Sequence, residues 1–139
     1  RGRCQKKLES IKLESWKWLC LKSMAVIKKF EDILAYQKAG LLTLAVYKIF
    51  SKNKDYGFRD QICRAAVSVM NNIAEGFERH TNKEFINFLY IAKGSVGELR
   101  SMTYLAYKLD YVTESEANKM MNEALEISRL IMGLIKTLR

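Results

Sequence analysis

The side chains able to do chemistry are few and poorly spaced for it. His80 is the one histidine, and the three cysteines, Cys4, Cys20 and Cys63, lie far apart. A Ser-His or Cys-His nucleophile would have to be built on that single imidazole. A di-iron helical site needs Glu-x-x-His on two helices, and Phe77 stands three residues before His80. Arg79 is adjacent to His80 rather than four to six residues ahead of it, the spacing an RNA-cleaving pair would want. No glycine-rich phosphate loop or dinucleotide fingerprint occurs. Glu75, Glu84 and Glu98 can converge between two helices for acid–base or metal work, but hydrogen bonding at helix ends is the stronger reading. An enzyme built on Glu75, Glu98 and Arg64 is the weakest of the functional readings. The sequence therefore predicts no catalytic residue, metal ligand, cofactor or small-molecule substrate.

The cations say more. Lys and Arg number 24 against 15 Asp and Glu, for a net charge of +9. Cations that contact phosphates release counterions, so a basic chain suits a polyanionic partner. Residues 1–30 carry nine Lys/Arg against Glu9 and Glu14, which is seven of the nine net charges. Beyond them, Arg59, Arg64, Arg79, Lys83, Lys93 and Arg100 are the candidate contacts to RNA or DNA. No base-reading module is recognisable, so binding is expected to follow the backbone and to weaken with salt.

The elements that must position these residues are helical. The 139-residue chain is 49% hydrophobic and has no proline, favouring long uninterrupted helices in one domain. Phe30, Ile33, Leu34, Leu41, Leu44, Ala45, Ile49 and Phe50 predict a first helix from about Lys29. After the turn Ser51–Gly57, a second helix carries Phe58, Ile62, Ala65, Ala66, Val69, Ile73 and Phe77. Thr81 and Glu84 form a predicted capping box for a third helix, with Phe85, Phe88, Leu89, Ala92, Val96, Leu99, Ala106 and Leu109. Thr113 and Glu116 open a fourth, along which Ala117, Met120, Ala124, Ile127, Ile131, Leu134 and Leu138 form a heptad-like seam. The expected architecture is all-α: an antiparallel up-down-up-down four-helix bundle over residues 24–139, with an N-terminal extension over 1–23.

Along the second helix Gln61, Ala65, Ser68, Asn72 and Gly76 recur at spacings of three and four, and Gly94 lies among small residues of the third. Such residues let helices approach closely while amides bond across the seam, either within one bundle or between copies.

The run Tyr56–Leu99 resembles the four-helix-bundle proteins encoded in 23S ribosomal-RNA intervening sequences, which are similar to the accessory variability protein of diversity-generating retroelements. The resemblance rests on Tyr56-Gly57, Gln61 to Ala66, Asn72 to Gly76, and Phe88 to Ser95 followed by Glu98-Leu99. It departs at Met70, where many relatives carry proline, and at Asn71, usually a small residue. It implies a homopentamer with a basic surface for nucleic acid, and in retroelements work beside a reverse transcriptase on template RNA.

The leading expectation is a non-catalytic, homo-oligomeric nucleic-acid-binding accessory protein. Its rival is a protein-interaction module that never touches RNA. The longest uncharged apolar stretch, Ala39–Tyr47, is too short to span a bilayer. With no secretory signal or disulfide framework evident, a cytoplasmic, non-membrane protein is expected.

Overall fold

The computed structural model describes residues 27–139, so the expected extension over 1–23 lies outside the described residues. Four helices follow one another: α1 (Leu34–Phe50), α2 (Tyr56–Phe77), α3 (Asn82–Lys108) and α4 (Glu114–Leu138). Each packs on its neighbours in a ring, α1 on α2, α2 on α3, α3 on α4 and α4 back on α1, giving the four-helix bundle. The α1–α2 and α3–α4 joints share one end; the α2–α3 joint lies at the other. Among the described residues no helix is long and apolar enough to cross a membrane.

Two helix starts are written in the sequence with different completeness. Thr113 accepts the backbone N–H of Glu116 while the Glu116 carboxylate accepts that of Thr113, a full capping box. At α3 the Thr81 hydroxyl also accepts the Glu84 N–H, but it donates to the Glu84 carboxylate, which does not return to the backbone. α3 ends with Asp110 in the left-handed region at φ 58°. The N–H of Tyr111 reaches the carbonyl of Ala106, and that of Asp110 the carbonyl of Tyr107, so the last carbonyls find donors.

The core is contributed by every helix. Ile62, Ala66, Val69 and Ile73 of α2 meet Leu89, Ala92, Val96 and Leu99 of α3 and Ala124, Ile127 and Ile131 of α4. The α4 seam runs to Ile135, which is fully buried, while the expected Leu134 and Leu138 are half-buried. Likewise Leu109 of the α3 set is exposed beyond the helix end.

The largest departure concerns α1. It begins at Leu34, because Phe30–Asp32 form a separate 3-10 turn, held where Gln37 donates to the Glu31 carbonyl at 2.8 Å. Leu41 and Leu44, expected inside, are 67% and 69% exposed. The inward stripe is Ala35, Ala39, Leu42, Val46 and Phe50. α1 carries two apolar stripes, so spacing alone does not choose between them. The choice falls to fit: small Ala35 and Ala39 face the core, and buried Thr43 shares its hydroxyl between the carbonyls of Ala39 and, across the seam, Ala66.

At the end shared by the α1–α2 and α3–α4 joints, Asp55 caps α2 by accepting the Phe58 N–H at 3.1 Å and takes the Tyr111 hydroxyl at 2.8 Å. The Tyr111 hydrogen bond, then that from Phe58, holds the Asp55 carboxyl below the usual carboxylate range. The same carboxylate raises the Tyr111 phenol. A depressed carboxyl gives stability that is whole above its unfolded pKa and lost as pH falls through the folded one. A raised phenol gives stability that is whole below its unfolded pKa and lost as pH rises through the folded one. Tyr111→Phe should therefore lower Tm most between about pH 5 and about pH 9, with the difference from wild type narrowing at both extremes. Thermal melts across pH check this; a difference that stays constant into acid contradicts it.

Candidate nucleic-acid interface

The six candidate cations fall in three places. Arg59 and Arg64, on the first turns of α2, line one cleft of about 500 Å³ with Tyr47, Ser51, Asp60 and Cys63. Arg59 is half-buried, its guanidinium 4.8 Å from the centroid of the Tyr56 ring. Arg64 is exposed. Arg79 lies at the opposite end, in the α2–α3 joint, where it pairs with Glu75 at 2.8 Å and lies over the Phe88 ring at 4.7 Å. Lys83 is exposed in the first turn of α3. Lys93 is exposed midway along α3, and Arg100, one face further on, is half-buried with its Nε buried and unbonded. A single chain thus brings together Arg59 with Arg64, and does not gather all six on one surface. Of the six, Arg79 alone takes part in an ion pair among the described residues.

The carboxylates do not converge. Glu75 is held by Arg79, Glu84 by Thr81, and Glu98 accepts from the Gln61 amide. Among the described residues no group of three His, Cys, Asp or Glu side chains can hold a metal ion. His80 is exposed at the mouth of a cavity of about 210 Å³ with Phe77, Thr81 and Leu134, beside no carboxylate among its lining residues. Burial pushes the Cys63 thiol up, the reverse of what a nucleophile needs.

The small-residue stripe of α2 faces α3. Gln61 donates to Glu98, Ala65 is buried, and the Ser68 and Ser95 hydroxyls share a hydrogen bond at 2.8 Å. Asn72 donates to the Ser68 carbonyl at 2.8 Å and to its hydroxyl at 3.0 Å. At Gly76 an added Cβ would lie 2.6 Å from the Phe88 Cβ and 2.9 Å from the Phe85 ring, so α2 and α3 touch there because a side chain is missing. Gly94 differs: it is exposed, and an added Cβ would meet nothing within 4 Å. Contacts within one chain do not use it.

Sequence spacing did not point to Tyr47 or Ser51, which come from the end of α1 and become neighbours of Arg59 and Arg64 when α1 folds against α2. Asp60 follows Arg59 directly on α2 and lies one turn before Arg64. A usable signal was present in Tyr56 and Arg59, an aromatic and a cation one helical turn apart.

The model of the family described as 23S rRNA-intervening sequence protein matches residues 31–133, and the chain belongs to that family. Among solved structures it is similar to a protein of unknown function from the S23 ribosomal protein family of Bacteroides thetaiotaomicron. The two share 25% identity and a TM-score of 0.70 over 74% of this chain and 99% of that one. No curated protein matches the chain.

The two glycines should respond oppositely to alanine. Gly76→Ala should cost about 1–3 kcal/mol from overpacking against Phe85 and Phe88. Gly94→Ala should stabilise the dilute chain by up to about 1 kcal/mol through helix propensity. Urea unfolding at low concentration measures both; a Gly94→Ala loss there would contradict the packing described.

Proposed function

From membership in the 23S rRNA-intervening sequence family as premise, we propose that this chain is a non-catalytic, homo-oligomeric nucleic-acid-binding protein. The observation that carries the reading is the near absence of ion pairing at the candidate cations. Arg59, Arg64, Lys83, Lys93 and Arg100 are left without a carboxylate partner among the described residues, so their charge remains available to phosphates.

Assembly supports the same reading. α1 turns Leu41 and Leu44 outward beside Gly40, Tyr36 and Met70, forming an apolar groove of about 500 Å³. An exposed apolar face of this kind marks an interaction surface. Copies joined through it, with a pentamer the number implied by the resemblance, would repeat the scattered cations and sum their field. In the cytoplasm the partner would be RNA or DNA, handled with a reverse transcriptase. Among the described residues Glu75, Glu84 and Glu98 are each taken up by separate hydrogen bonds, which supports binding over catalysis.

The same apolar face favours the second reading, a protein-interaction module. Salt separates the two. Fluorescence anisotropy with a structured RNA should show affinity falling steeply between 50 and 200 mM salt, by at least about tenfold for a handful of phosphate contacts. Absence of binding, or binding indifferent to salt, would favour the interaction module.

A further inference from the structure

We propose that the cleft between the last turn of α1 and the first turns of α2 is a pocket for one unpaired nucleotide of single-stranded RNA. This rests on the nucleic-acid reading above and gives it a place and a substrate class.

The cleft has the size and the chemistry for it. Its volume of about 500 Å³ lies within the range of small-ligand pockets. Tyr47 stands at its rim and is 52% exposed, presenting a ring without an intramolecular stacking partner among the described aromatic pairs. The Arg59 guanidinium lies 4.8 Å from the centroid of the Tyr56 ring, which leaves a second cationic plane beside the cleft. Unpaired bases stack on tyrosine rings and on guanidinium planes, whereas bases inside a duplex are already stacked and unavailable. Arg64, exposed and unpaired, is free to follow a phosphate. The floor is the buried Cys63 side chain.

Asp60 decides the sugar. A carboxylate in a phosphate site would repel its ligand, so this one belongs beside the nucleoside, where it can accept a hydrogen bond. It makes no ion pair with Arg59 or Arg64 although both share the cleft. The ribose 2′-hydroxyl is the donor that RNA has and DNA lacks. Stacking on Tyr47, phosphate on Arg64 and the 2′-hydroxyl on Asp60 together describe an RNA nucleotide outside a helix.

The test uses the full chain and three fluorescein-labelled probes: a single-stranded RNA, the same sequence as DNA, and the RNA duplex. Tyr47→Ala should weaken single-stranded RNA binding by about tenfold and leave duplex binding unchanged. Tyr47→Phe, which keeps the ring, should bind like wild type. Arg64→Gln should lower the salt slope by about 0.7, and Lys136→Gln, at the opposite end of the bundle, should retain the wild-type response to Tyr47→Ala. Single-stranded DNA should bind more weakly than RNA, and Asp60→Ala, which removes the acceptor, should close that gap. Circular dichroism confirms folding of each variant. If wild type binds RNA with salt dependence but Tyr47→Ala binds as well, or loses duplex and single strand equally, the pocket is overturned and the broader reading stands. DNA binding equal to or tighter than RNA overturns the assignment of the sugar. No salt-dependent RNA binding by wild type overturns both.

Discussion

The bundle depends on how closely α2 can approach α3. That distance is set where side chains are missing or small: at Gly76 against Phe85 and Phe88, at Ala65, and at the Ser68–Ser95 hydroxyl pair. A larger residue at any of these points would push the helices apart and open the core between Val69, Ile73, Leu89 and Val96, all of which are essentially inaccessible. Interiors are packed too densely to absorb such a shift. The amides and carboxylates of the seam, Gln61, Asn72 and Glu98, bond across or along it. What looks chemically active in the sequence therefore serves contact between helices.

This constraint leaves function to the outer surface and the helix ends. Packing of α1 against α2 and α4 sends Ala39, Leu42 and Val46 inward and leaves Leu41 and Leu44 facing water. It also seats Tyr47 and Ser51 beside Arg59 and Arg64. Nearby, Asp55 fixes the start of α2 twice, through the Phe58 N–H and the Tyr111 hydroxyl, so the turns bearing Arg59 and Asp60 are anchored to the α3–α4 joint. Apolar face and cationic cleft are two consequences of one helix placement.

Much of this was legible in the residues. The caps at Thr81 and Thr113 and the α2 and α4 seams follow from local patterns that folding respects. The inward face of α1 was not legible, because apolar residues occupy both sides of it and tertiary fit makes the selection. Gly76 and Gly94 look alike as sequence yet differ entirely in surroundings, one against two phenylalanines and one in open space. The cleft was half legible: Arg59, Asp60 and Arg64 share neighbouring turns of α2, whereas Tyr47 and Ser51 join them only once α1 and α2 are side by side.

The central claim is that scattered cations act on nucleic acid through assembly of identical copies across the outward face of α1. Sedimentation velocity of a labelled RNA with wild-type protein and with Leu41→Glu/Leu44→Glu measures it directly. The account predicts that wild type carries RNA in a multi-subunit species, while the double variant stays folded, sediments as a monomer and binds RNA at least about tenfold more weakly. A monomeric variant that binds RNA as tightly as wild type would contradict it.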